Sequence, residues 1–139
     1  MTNVEICNAF TTTFNTSDWD GNMALLADNV TYMEYATGRE LTSKGTWLEA
    51  SQGWKIAFPD AKGTILNTVE SGNTVVQELT WEGTHTGNMH TPDGQIIPPT
   101  GKKQVTPAVM IMTIEDGKIT RANHYFDMLS MMAQLGLAG

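Results

Sequence analysis

The stretch AFPDAKGTILNTVE, residues 57–70, changes its hydrophobic period half-way along. Up to Pro59, Trp47, Ala50, Trp54, Ala57 and Phe58 recur at three- and four-residue steps, the spacing of one helix face. Ser43 stands where an N-cap belongs and Pro59 follows the stop, so a helix is predicted from Ser43 to Phe58. Beyond Pro59 the pattern becomes strand-like: residues 62–70, a Ser71-Gly72-Asn73 turn, and a long strand over residues 74–87.

Working outward, the N-terminal side is helical. Thr2 and Glu5 have capping-box spacing, and Ile6, Phe10 and Phe14 follow at every fourth position, which predicts a helix from Asn3 to Asn15. A short second helix follows, capped by Ser17 or Asp20, then a strand at residues 29–35 and turn chemistry at 37–43. On the other side, residues 88–103 are rich in Pro, Gly and polar residues and read as a loop. Strands at residues 104–115 and 118–127 flank an Asp116-Gly117 hairpin turn. A short helix then ends at Gly136, a C-cap. Helices first, strands next and a helix last describe one α+β domain spanning residues 1–139.

The net charge is -7, which argues against nucleic acid and against an anionic membrane surface as partners. No apolar run approaches the ~20 residues of a membrane span. The N-terminus does not read as a signal peptide. The single cysteine, Cys7, rules out an internal disulfide and suits a reducing cytoplasmic compartment. The three histidines lack metal-ligand spacing, and no glycine-rich phosphate loop is present.

By alternation, Val75, Leu79, Trp81 and His85 face the core. In the last strand Ile119, Asn123, Tyr125 and Asp127 share one face, and His124 and Phe126 the other. With Ile119 inward, the first face is too polar for an ordinary core, so a pocket is expected there. Asp127 then has two readings. It is a helix N-cap, or it is a general base beside a bound carbonyl compound. The same alternation turns Met110, Met112, Ile114 and Phe126 outward, an apolar face that predicts a homodimer.

The ordered set AFPD (57–60), GTHTG (83–87), PPTGK (98–102), DGKI (116–119), YFD (125–127) and QLGL (134–137) resembles the SnoaL-like polyketide cyclases, also called ester cyclases. They belong to the nuclear-transport-factor/ketosteroid-isomerase-like superfamily. The resemblance implies a cone-shaped, curved antiparallel sheet wrapped around N-terminal helices, enclosing a pocket for a hydrophobic small molecule. It also implies a frequent dimer through the outer sheet face. Well-known members close a ring by aldol condensation with an aspartate acid/base and no metal or cofactor, and Asp127 inherits that role. Two positions depart from the family pattern: Asn123 replaces a usual Trp, and Met33-Glu34-Tyr35 stands where His-Asp-Pro is common.

The expected catalytic residues are therefore Asp127 and His85, with Tyr125 and Asn123 as further polar contacts to substrate. Trp81, Trp54, Tyr32 and Phe58 are expected to wall the pocket. Two other readings share the fold. One is a binding module without a base in reach of its ligand. The other is an epoxide hydrolase, which usually needs an Asp–Arg–Asp set; Arg121 lies six residues from Asp127, about 20 Å along a strand.

Overall fold

The computed structural model describes residues 1–137. Four helices, α1 (Asn3–Asn15), α2 (Trp19–Met23), α3 (Lys44–Ala57) and α4 (Met128–Gln134), accompany eight strands. These are β1 (Leu26–Glu34), β2 (Arg39–Leu41), β3 (Lys62–Ser71), β4 (Thr74–Thr84), β5 (Met89–His90), β6 (Ile96–Ile97), β7 (Lys103–Glu115) and β8 (Lys118–Phe126). Thr2 and Glu5 form the reciprocal capping box of α1, Asp18 caps α2, and Ser43 caps α3 through the Thr46 N–H.

Six strands form one sheet in the order β2-β1-β8-β7-β4-β3, and β5 and β6 make a small separate hairpin. All neighbours in the large sheet are antiparallel except β1 and β8, which run parallel, so the sheet is mixed. Helix α3 and six strands separate β1 from β8 in the chain, so this parallel pairing is a long-range one. Helix α1 packs on β3, β4 and β8 while α3 packs on β1, so the sheet curls around its helices. The core between them contains Ile6, Phe10, Val30, Tyr32, Trp47, Leu79, Met110 and Met112.

Three of the motifs that carry the family resemblance, AFPD, GTHTG and PPTGK, meet at one end of the sheet. Asp60 accepts from the Thr84 N–H at 2.7 Å and from its hydroxyl at 3.0 Å. The Thr86 and Gly87 N–H groups both donate to the Ala57 carbonyl, and His85 pairs with Gly101 and Lys102 through the backbone. Gly87 is required by this closeness: a Cβ there would lie 1.9 Å from the Ile56 carbonyl oxygen. AFPD, GTHTG and PPTGK are thus one hydrogen-bonded knot that orients the end of α3 against β4.

Facing directions follow from strand register. Odd positions of β4 oppose even positions of β7: Val75 opposes Met112, Gln77 opposes Met110, and Leu79 opposes Ala108. Met110, Met112 and Ile114 are therefore buried, which corrects the expectation that they face outward. Both faces of β7 are apolar, so alternation alone does not choose between them. The outer face instead carries the cross-strand row Met33, Asn123, Ile111, Val76 and Val69.

Candidate functional site

A second correction concerns β8. Ile119 opposes Ile114 and faces inward as expected, but the register shifts by one residue before Arg121 opposes Thr113. The extra residue is a β-bulge, and it reverses every facing direction beyond it. Ala122, His124 and Phe126 consequently point to the core side. Tyr125 and Asp127 are exposed, and Asn123 is half-buried on the outer face.

The core side of the sheet holds an apolar cavity of about 70 Å³, open at its mouth. Phe10, Phe14, Trp47, Phe126, Met110 and Met131 line it together with the expected Tyr32, Trp54, Phe58 and Trp81. Four lining residues not among the expected site residues bring polar chemistry: His124, Gln104, Glu82 and Ser51. Glu82 is half-buried and pairs with Lys103 at 3.6 Å.

His124 sits in a continuous hydrogen-bonded chain. The Trp81 indole N–H donates to His124 Nε2 at 2.9 Å. An indole N–H is donor only, so Nε2 accepts and the neutral ring carries its proton on Nδ1. Nδ1 lies 2.7 Å from the Tyr32 oxygen, and the Tyr32 hydroxyl donates to Glu34 at 2.8 Å. Glu34 is fully buried and also accepts from Thr37 at 2.7 Å, from Arg39 at 3.0 and 3.2 Å, and from the Trp54 indole at 3.3 Å. Burial works to raise its pKa, but Arg39, Thr37 and Tyr32 outweigh it, so the carboxyl is held below its usual value. Tyr32 is pushed well above the ordinary phenol value by burial and by Glu34, and stays protonated.

Burial lowers His124 to about 4, with the negative charge of Glu34 opposing part of the effect. The ring is neutral at pH 7, with one lone pair. In the unfolded chain it titrates near ~6.5. Between those values the unfolded state binds a proton that the native state rejects. The native advantage is therefore complete above about 6.5 and is lost as pH falls toward 4, up to about 3 kcal/mol. Glu34 adds a lower window, because its depressed native pKa gives stability that is lost only below the ordinary carboxylate range. Urea midpoints at pH 7 and pH ~4.5 measure the first window, which is expected to shrink in His124→Gln.

Gln104 is 3% exposed; the Thr106 hydroxyl donates to its Oε1 at 2.5 Å. Its Nε2 makes no hydrogen bond among the described residues and borders the cavity, so it is available as a donor to a ligand oxygen.

The remaining expected residues lie elsewhere. Asp127 accepts from the Ser130 N–H at 2.9 Å as the N-cap of α4 and is not part of the cavity lining. Tyr125 stacks on Tyr35 on the outer face, with ring centroids 4.5 Å apart. His85 is fully buried in the structural knot, its Nδ1 bonded to Thr100 and its ring against Phe58, and it does not line the cavity. The sequence signal for His124 was present but carried on the wrong parity: Ala122-x-His124-x-Phe126 is an inward set once the bulge is known.

A family model for SnoaL-like polyketide cyclases matches residues 4–135. The chain belongs to this family. Among solved structures, a protein assigned as a SnoaL-like polyketide cyclase from Jannaschia sp. CCS1 superposes with a TM-score of 0.86, at 17% identity over 99% of this chain and 92% of that one. IdmH from Streptomyces antibioticus, assigned as a polyketide cyclase, gives 0.82 at 23% identity over 98% and 99% of the two chains. A ketosteroid-isomerase-like protein from Catenulispora acidiphila, solved with trimethylamine, gives 0.80 at 20% identity over 96% and 93%. At these identities the structural matches establish the fold. No curated protein sequence matches the chain.

Proposed function

We propose that this SnoaL-like protein is a cofactor-free acid–base catalyst of an aldol-type cyclisation or isomerisation, acting on a hydrophobic, polyketide-like carbonyl compound, with His124 in place of Asp127 as base. The observation that carries this reading is the His124 Nε2 lone pair, held in a cavity whose walls are otherwise mainly aromatic. A bound carbonyl oxygen competes for the Trp81 N–H and frees that lone pair. The C–H bond next to the carbonyl breaks, the proton goes to Nε2, and the electron pair moves onto oxygen as an enolate. Gln104 Nε2 and the released indole N–H supply donors for that oxygen. The enolate carbon then attacks a second carbonyl of the same molecule, and the proton on Nε2 returns to the new alkoxide. An imidazole titrating near 4 is about as basic as a carboxylate, so it suits already activated C–H groups.

The test uses 2-tetralone, a bicyclic ketone whose benzylic C–H beside the carbonyl is activated, in heavy water. Wild-type protein is expected to accelerate deuterium uptake beside the carbonyl, and Gln104→Ala to slow it. Ligand-induced quenching of tryptophan fluorescence without any deuterium uptake would favour the binding-module reading instead.

We also propose a homodimer, through the outer face that carries Met33, Ile111, Val76 and Val69. Val69 is 56% exposed, and Tyr35 and Tyr125 flank the same face at 46% and 41%, so apolar side chains there are open to a partner. Light scattering is expected to give twice the chain mass, and Ile111→Glu to give the monomer. A wild-type monomer at micromolar concentration would refute the dimer.

A further inference from the structure

Glu34 is an anomaly that the chemistry above does not use. A carboxylate this deeply buried loses several kcal/mol of solvation, and an apolar replacement of similar size is often no less stable. It does not line the cavity, yet two groups that do, Tyr32 and Trp54, are hydrogen-bonded to it. Its position on β1 is directly beside His124 on β8.

We propose that Glu34 is a positioning residue for His124: through the Tyr32 hydroxyl it holds the imidazole as the Nδ1–H tautomer, with the Nε2 lone pair turned into the cavity. The direction of every bond follows from charge. Arg39 keeps Glu34 ionised, and an ionised carboxylate only accepts, so the Tyr32 hydroxyl must donate to it. That leaves the Tyr32 oxygen as an acceptor, and the facing ring nitrogen, Nδ1, must be the one that carries hydrogen. When Nε2 takes a proton, the new imidazolium charge is connected to Glu34 through one phenol rather than facing apolar walls. Thr37 and the Trp54 indole fill the remaining acceptor sites of the carboxylate, so it cannot swing away. The arrangement does for His124 what a buried aspartate does for the histidine of a serine-protease triad, with a tyrosine interposed.

The inference deepens the assignment of His124 as base, but its central claim concerns the tautomer and is tested without substrate. Two-bond proton–nitrogen NMR of histidine-labelled protein at pH 7 is expected to show His124 protonated on Nδ1. Trp81→Phe removes the indole donor and is expected to leave that pattern in place. In the Trp81→Phe background, where no indole N–H faces Nε2, Tyr32→Phe and Glu34→Gln are expected to move the proton to Nε2 or mix the two forms, whereas a purely structural role would lower stability and leave the tautomer alone. An Nε2–H ring in the wild-type protein overturns the proposal, and so does a tautomer that follows Trp81 alone; both wild type and Trp81→Phe read this out even if Glu34→Gln fails to fold. On a turned-over ketone, Glu34→Gln is expected to lower kcat on the order of 10²-fold or more with KM little changed. The expected tautomers without any turnover would sink the catalytic reading and leave the positioning role standing. Turnover that survives Glu34→Gln with the tautomer unchanged would do the reverse.

Discussion

Turnover of an activated ketone is expected to fall about 10²–10⁴-fold in His124→Gln and to be unaffected in Asp127→Asn. Glutamine keeps a polar side chain in reach of Trp81 and Tyr32 but has no basic lone pair, so the loss should appear in kcat with ligand binding retained. Asparagine caps a helix about as well as aspartate, and the Asp127 carboxylate bonds the Ser130 N–H outside the cavity lining. Asp127→Ala is expected to cost about 1 kcal/mol of stability with no change in rate. Parallel rate measurements on the three variants decide the matter. An inactive Asp127→Asn beside an active His124→Gln would return the base role to Asp127.

Arg39→Ala is expected to be the most destabilising exposed-to-buried change near the site. Arg39 contacts both Glu34 oxygens, and the Glu34 side chain is fully buried while that of Arg39 is 23% exposed. Removing one partner of a buried pair costs about 3–5 kcal/mol, because the remaining charge has lost its compensation. Water reaching the vacated position places the expected value near the lower end, about 3 kcal/mol, or roughly a 10 °C fall in Tm for a chain of this length. Adding Glu34→Gln to Arg39→Ala should recover part of the loss, since the uncompensated charge is then gone. The sign with pH is also defined. Arg39 depresses the Glu34 pKa, so its contribution is present above the ordinary carboxylate value and fades as pH falls through the depressed one. The gap between wild type and Arg39→Ala should therefore narrow in acid. An Arg39→Ala protein as stable as wild type at pH 7 would contradict the buried-pair account.

Much of the scaffold was legible from local signals. The capping box at Thr2 and Glu5 and the Ser43 cap are chemical features of short segments, and the helices begin where those residues place them. The inward set Val75, Leu79, Trp81 and His85 alternates with Glu78, Thr80 and Glu82, and the structure buries Val75, Leu79 and His85 and half-buries Trp81. The aromatic walls Tyr32, Trp54, Phe58 and Trp81 were legible for the same reason: large apolar side chains at regular spacing have few other places to go. The short strand β2 was not, because Arg39-Glu40-Leu41 carries turn-like neighbours and pairs only through β1.

The sequence by itself determined the α+β class, the starts of α1 and α3 and the family, since these rest on period, capping and ordered motifs that are local in the chain; the cap of α2 is Asp18 rather than the expected Ser17 or Asp20. Only the tertiary structure decided which face of β7 and β8 lines the cavity. A strand with two apolar faces takes its side from the register of its neighbours, and a single bulged residue between Ile119 and Arg121 reverses what alternation predicts. That reversal moves His124 into the cavity and Asp127 out of it. The parallel pairing of β1 with β8 likewise joins Glu34 to His124 from strands far apart in the chain, and no local pattern encodes a hydrogen bond between residues brought together by long-range pairing.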